Sequence, residues 1–392
     1  MTTLHYLAWV LILFGHGALW IALFNRAHSV DLPCRLVSAS ELLLFSILGL
    51  GAMIWAWLAY PVAFHGQLDI ARIVEGRLGL FVYVVICGGV GIYIVVLWSW
   101  RRLTDRRPLQ LVSNDTVQLD VAREIGQRPA GSLSTRVLDC VPGNQMFKLH
   151  VHEKILVDAR FPQALDGLTI SHLTDLHFTG KINRSYFEYV IQRSNDLDAD
   201  LVVVTGDILD EAHCLDWIPS TLGQLKSKLG VYFVLGNHDK RLPSESQVRQ
   251  TIREAGLVDV GREPACIETA GQRILLAGNE LPWFGPPPDL LEYELAEDDT
   301  LFGILLSHSP DQLAWARRQG FQLMLSGHTH GGQIHFPLIG PVLTPSAYGV
   351  KYANGVFYEA PTLMHVSRGI SAMMPLRLNC APELAKLILV RK

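Results

Sequence analysis

At 392 residues the chain is long enough for a catalytic domain and a further region beside it. A net charge of −4, with no long basic stripe, gives no reason to expect a nucleic-acid partner. The six cysteines are scattered without a Cys-x-x-Cys pair, which argues against a disulfide framework and for a reducing compartment.

The hydrophobic content is 49%, and the excess is concentrated in the first hundred residues. Three runs there, 4–24, 42–64 and 78–100, each reach the roughly 20 apolar residues needed to cross a bilayer. The second and third contain no Asp, Glu, Lys or Arg; the first carries His5 and His16. Core helices of a soluble protein would not give three such runs in succession, so the amino-terminal region is read as three transmembrane helices. No Lys or Arg precedes the first run and no small-residue cleavage site follows it, so a cleaved signal peptide is not expected. Trp20, Trp55, Trp57, Trp98 and Trp100 fit interfacial or lipid-facing positions. His16 is read as a packing residue rather than an intramembrane site. Arg26 and Arg35 lie between the first two runs, Arg72 and Arg77 between the second and third, and Arg101, Arg102, Arg106 and Arg107 follow the third. The positive-inside rule then predicts a multi-pass protein of the inner (cytoplasmic) membrane with its large carboxy-terminal domain in the cytoplasm.

Residues 101–166 read as a linker with edge strands. The segment 147–152 alternates apolar and polar residues, as a half-exposed strand does. His150 and His152 share its polar face and are expected to meet solvent rather than a metal.

From 167 onward the pattern becomes strand–helix–strand. Apolar runs at 168–173, 201–205 and 231–235 are separated by expected helices at 184–194 and 217–228, and further runs follow at 274–277, 302–306 and 323–325. Five polar clusters close these runs: Thr174-Asp175-Leu176-His177, Gly206-Asp207, Gly236-Asn237-His238-Asp239, Ser307-His308 and Gly327-His328-Thr329-His330-Gly331-Gly332. Clusters at strand carboxyl ends meet along one edge of a sheet. Their residue types are metal ligands with N and O donors, and a pair of divalent ions can clamp a phosphoryl group and activate water. Asp175 and His177 are two apart, so in an extended segment they share a face; His328 and His330 repeat the spacing. Each cluster alone is commonplace. All five in this order, each after an apolar run, are not.

These motifs closely resemble those of the calcineurin-like metallophosphoesterase superfamily, over about 167–392. The ending Val366-Ser367-Arg368-Gly369-Ile370 with Pro375-Leu376-Arg377 is similar to its branch of bacterial membrane-associated phosphodiesterases. The resemblance implies an α/β fold, a four-layer α/β/β/α sandwich, here preceded by the helical transmembrane region. It implies two divalent metal ions of the Mn, Fe, Zn or Co kind, one held by Asp175, His177, Asp207 and His330, the other by Asp207 as bridge with Asn237, His308 and His328. It also implies His238 as the acid that protonates the leaving oxygen and Asp239 as the group that orients it.

The expected activity is hydrolysis of a phosphodiester or pyrophosphate. With the domain tethered to membrane lipid, the substrate is expected to be lipid-linked; the pyrophosphatases acting on UDP-2,3-diacylglucosamine share these superfamily motifs. A broad phosphodiesterase or phosphatase on soluble substrates, with the helices as a tether, is the alternative. A non-catalytic binding module is a third reading, disfavoured because every ligand and the acid histidine are retained. Arg368 and Arg377 are read as structural rather than phosphate-binding. The stiff aromatic segment 281–288 is read as a surface loop, with a lipid-facing lip as its alternative.

Overall fold

The computed structural model describes residues 3–65, 76–104, 108–293, 295 and 300–392. The chain divides into two units, Met1–Arg106 and Arg107–Lys392.

The first unit holds the helices Thr3–Ala27, Cys34–His65 and Leu78–Thr104. Among the described residues two stretches, Leu7–Ala27 and Leu78–Thr104, are long and apolar enough to cross a membrane. The second expected span, 42–64, falls inside the helix Cys34–His65, whose apolar stretch among the described residues is Ala39–Gly51. The side chains of Trp55 and Trp57, and Arg72, Arg106 and Arg107, lie outside the described residues. Gly15 and Gly91 let the first and third helices approach closely. A side chain at Gly15 would strike the Cys87 carbonyl, and one at Gly91 the Leu11 carbonyl. His16 is buried, with Nδ1 2.6 Å from the Tyr83 hydroxyl, which also accepts from Trp20 Nε1 at 2.9 Å.

The second unit is built on two sheets. Among the described residues its fifteen strands begin with β1 (Leu111–Asp120), β2 (Lys148–Asp158), β3 (Thr169–Leu173), β4 (Leu201–Thr205), β5 (Val231–Val234) and β6 (Val258–Asp259). Next come β7 (Ala265–Thr269), β8 (Gln272–Gly278), β9 (Leu301–Leu306), β10 (Leu323–Ser326) and a two-residue pair, β11 (His335–Phe336) and β12 (Gly340–Pro341). Last are β13 (Gly355–Glu359), β14 (Thr362–Val366) and β15 (Glu383–Arg391). The seven-stranded sheet has the order β1-β2-β15-β3-β4-β5-β6, and the six-stranded sheet β13-β14-β10-β9-β8-β7. Within them β3, β4, β5 and β6 run parallel, as do β8, β9, β10 and β14.

Every residue of β4, β5, β9 and β10 is buried, which explains why these runs are apolar throughout instead of alternating. Their side chains divide between layers. Ile170, Leu201, Val203 and Val234 of one sheet meet Ile274, Phe302, Ile304 and Leu325 of the other in the central core. On the outer face of the larger sheet, Val202, Val204 and Phe233 pack under Phe187, Val190 and Ile191 of the helix Arg184–Asp196. On the outer face of the smaller sheet, Leu275, Leu305 and Met324 pack with Leu313 and Ala316 of the helix Leu313–Arg318. These layers make the α/β/β/α sandwich.

Three expectations change. The helix expected at 217–228 is replaced by short 3-10 turns, Ala212–Trp217 and Leu222–Gln224, because Pro219 and Gly223 interrupt it. The stretch 108–166 is less a linker than part of the sandwich, since β1 and β2 extend the larger sheet. His152 is buried instead of solvent-facing. Its Nδ1 lies 2.9 Å from both Thr116 Oγ1 and Asn114 Oδ1 of β1, and its Nε2 meets Arg368. The polar face of β2 turns toward the other sheet, where Lys154 on it meets His365 of β14 and pairs with Glu383 of β15.

Candidate metal centre

The five clusters follow β3, β4, β5, β9 and β10, so the carboxyl ends of parallel strands from both sheets deliver them to one place. Convergence needs unusual backbone. Asp175, His177, Asp207, His328 and His330 all have φ between 48° and 69°. Left-handed conformations of this kind cost a non-glycine residue roughly 1–2 kcal/mol each and gather at functional sites. The extended arrangement expected for Asp175 and His177 is therefore replaced by sharp turns beyond the end of β3. Glycines supply the remaining room. A Cβ at Gly236 would overlap the Asp207 carboxylate, and one at Gly327 would overlap the Thr174 hydroxyl and the Asp175 carboxylate.

Seven expected ligand residues meet as two groups that share Asp207. In the first, His177 Nε2 lies 3.2 Å from His330 Nε2 and 3.6 Å from Asp207 Oδ2, while His330 Nε2 lies 3.6 Å from Asp175 Oδ1. In the second, His308 Nε2 lies 3.2 Å from each of Asp207 Oδ2, Asn237 Oδ1 and His328 Nδ1. The donor atoms of Asp175, His177, Asp207 and His330, and those of Asp207, His308 and His328, lie within 4.8 Å of one another in each set. Asp207 Oδ1 accepts the His238 N–H at 2.8 Å. Its Oδ2, buried between the two groups, has no hydrogen-bond donor among the described residues. Such an orphaned carboxylate oxygen amid ring nitrogens suits a pair of divalent cations.

Hydrogen bonds set which ring nitrogens are available. His177 Nδ1 lies 2.8 Å from Asp210 Oδ2, and His308 Nδ1 lies 2.8 Å from the Thr205 carbonyl. Both partners accept, so each Nδ1 donates and each Nε2 keeps its lone pair for a metal. Burial opposes charge on His308, but the Asp207 and Asp175 carboxylates raise it to about 9. Burial likewise opposes charge on Asp207, yet His308 and His238 hold it well below the usual carboxylate range. A divalent cation bound here would displace the histidine protons and take over the charge that balances the carboxylates.

Asp210 is the residue sequence reasoning missed. Its carboxylate takes His177 Nδ1 on one oxygen and His238 Nδ1 on the other, and it is nearly fully buried. Both histidines pull its pKa far below the ordinary value against the cost of burial. The signal was present as Gly206-Asp207-Ile208-Leu209-Asp210, a second carboxylate three residues after the first. Asp239 does not orient His238. Its carboxylate accepts the backbone N–H groups of Ile208, Leu209 and Gly236 at 3.0, 2.8 and 2.8 Å, bracing the turns after β4 and β5 against each other. His238 Nε2 points to the centre, 4.0 Å from Asp207 Oδ2.

The aromatic segment 281–288 forms a wall of the site. Trp283 and Phe284 are buried, and the Trp283 ring centroid lies 4.8 Å from that of His328 and 5.5 Å from that of His308. Arg377, fully buried, donates to the carbonyls of His330, Arg368 and Ser371; Arg368 pairs with Glu383. Both arginines are structural.

A layered sandwich whose strand ends bring together two histidine–carboxylate groups around one shared aspartate defines the metallophosphoesterase class. The calcineurin-like phosphoesterase profile matches residues 168–332, and the chain belongs to that family. It is 32% identical over 246 residues to the metallophosphoesterase YkuE of Bacillus subtilis, covering 59% of this chain and 82% of that one. It is 29% identical over 258 residues to the phosphodiesterase YaeI of Escherichia coli, covering 64% and 90%. With a transmembrane protein with metallophosphoesterase domain from Bos taurus it shares 32% identity over 301 residues, covering 69% and 64%. The protein is a metal-dependent phosphoester hydrolase. Its two apolar helices, together with relatives named as transmembrane proteins, point to membrane association.

Proposed function

We propose that this chain is a membrane-anchored, dinuclear metal-dependent hydrolase of a phosphodiester or pyrophosphate bond in a lipid-linked substrate, of which UDP-2,3-diacylglucosamine is an example. The observation that carries the metal chemistry is the meeting of two donor groups at the buried Oδ2 of Asp207. Asp175, His177, Asp207 and His330 would hold one cation; Asp207, Asn237, His308 and His328 would hold the other. Two such ions, drawn from Mn, Fe, Zn or Co, supply Lewis-acid stabilisation of the phosphoryl group and an activated water. His238 gives its Nε2 proton to the leaving oxygen, and Asp210, bound to Nδ1, stabilises the imidazolium form from which that proton departs. Asp239 holds the turns that carry Asp207 and Asn237. The relative named a phosphodiesterase favours a diester, and the apolar helices favour a substrate in the same membrane.

In this reading residues 1–100 form three membrane helices, and the catalytic domain lies in the cytoplasm. A reporter fused at the carboxyl end then behaves as cytosolic; its export refutes the orientation. The central test combines elemental analysis of the purified full chain with a phosphoester panel that includes glycolipid nucleotides. His238→Ala is expected to lose turnover and keep its metals, and Asp207→Ala to lose both; an active Asp207→Ala protein refutes the dinuclear site. Preference for a soluble aryl phosphodiester over dispersed lipid substrates would leave the helices as a tether only.

A further inference from the structure

Beneath the metal centre lies a second polar cluster that the proposed chemistry does not use. Lys154 on β2, Glu383 on β15, His365 on β14, His172 on β3 and Thr205 on β4 are all buried, in the middle of the sandwich. Lys154 Nζ pairs with Glu383 and lies 2.8 Å from His365 Nε2. His365 Nδ1 lies 2.9 Å from His172 Nδ1, and His172 Nε2 lies 2.8 Å from Thr205 Oγ1. The Thr205 carbonyl then accepts from Thr174 Oγ1 at 3.0 Å and from His308 Nδ1 at 2.8 Å.

Two imidazoles facing each other through their Nδ1 atoms admit either direction of hydrogen bonding. Lys154 decides it, because an ammonium group only donates. His365 must accept at Nε2, so its proton sits on Nδ1. That proton goes to His172 Nδ1, which must accept. His172 therefore carries its own proton on Nε2 and donates to Thr205 Oγ1. Both rings have to be neutral for this, and burial lowers His365 to about 4 and His172 well below its ordinary value. The chain of donors is then directed one way, from a buried cation to the residue whose carbonyl fixes the ring of His308.

We propose that Lys154, His365 and His172 form a remote positioning chain that locks Thr205, and through it the ring orientation of His308, so that the Asp207–Asn237–His308–His328 half of the site is held ready for its cation. The inference rests on the dinuclear reading above. Outer partners of metal-ligating histidines typically change metal affinity 10–100-fold when removed. Lys154 touches no ligand, yet it sets the direction of the three side-chain bonds that lead to Thr205 Oγ1.

The test is Mn(II) binding to the detergent-solubilised full chain, followed by calorimetry and by the EPR signature of a spin-coupled manganese pair. Two variants separate positioning from packing. In His172→Gln the amide nitrogen occupies the place of Nε2 and still donates to Thr205; in His172→Leu nothing does. The expected result is that His172→Leu weakens one of the two Mn(II) sites by about 10–100-fold and leaves the other, with loss of the coupled signal, while His172→Gln stays within about threefold of the natural protein. Lys154→Met is expected to follow His172→Leu. If the natural protein fails to bind two Mn(II) ions, the dinuclear reading falls and the inference with it. If it binds two and His172→Leu binds them equally well, or loses both sites alike, or His172→Gln is as impaired as His172→Leu, the positioning chain is refuted and the dinuclear reading stands.

Discussion

Acidification should destabilise the catalytic unit through His365. This ring is fully buried, its neutral form holds the hydrogen bonds to Lys154 and His172, and burial followed by the Lys154 charge lowers its pKa to about 4. In the unfolded chain it titrates near 6.5. A base with a lowered folded-state pKa contributes stability that is fully present above the unfolded value and is lost as pH falls through it, because the unfolded chain takes up the proton first. Linkage over the interval from 6.5 to about 4 gives a total loss of about 3 kcal/mol, of which about 2 kcal/mol has gone by pH 5. The assay is urea unfolding of the catalytic unit within the solubilised full chain, followed by near-UV circular dichroism at pH 7.5 and pH 5.0 with metal chelated throughout. The comparison is His365→Asn, whose amide cannot titrate. The natural protein should lose about 2 kcal/mol more than the variant between the two pH values. Equal losses in both would refute the assignment of His365 as a buried neutral base.

Asp210→Asn removes the charge that stabilises protonated His238; kcat should fall about 100-fold and first-site metal affinity about tenfold, measured by steady-state kinetics and Mn(II) titration. Gly327→Ala places a methyl group in the space of the Asp175 carboxylate and the Thr174 hydroxyl, so elemental analysis should find metal content reduced in a protein that remains folded. Arg377→Met strips donors from the carbonyls of His330, Arg368 and Ser371, and should cost about 3 kcal/mol or more, read as a lowered urea midpoint with weakened metal binding at His330.

The candidate ligands were legible because each stands at the end of an unbroken apolar run, and buried parallel strands must read that way. The layering was not legible from the runs themselves. Nothing local tells Val203, facing the other sheet, from Val204, facing a helix. The left-handed turns at Asp175, His177, Asp207, His328 and His330 were equally hidden, since tertiary contacts and neighbouring glycines impose them against local preference. Asp239 was misassigned for a related reason. Adjacency to His238 in sequence suggested contact, yet its side chain turns back to the backbone while Asp210, on another strand end, reaches the ring. The stretch 217–228 forms no single helix because Pro219 supplies no amide donor and Gly223 weakens the turn around it. His152 looked solvent-facing because alternation marks which residues share a face, not whether that face is later covered.

The position of β15 has a bearing on how this protein is made. It lies between β2 and β3, parallel to one and antiparallel to the other, and β3 has no other route to β2. Glu383 comes 210 positions after Leu173, so β2, paired with β1, and β3, paired with β4, each keep one open edge through much of synthesis until β15 joins them. Closure at such long range is slow, and the exposed edges invite wrong partners in the interval. Biogenesis of this enzyme should therefore depend on a holding chaperone at the ribosome far more than its modest size suggests.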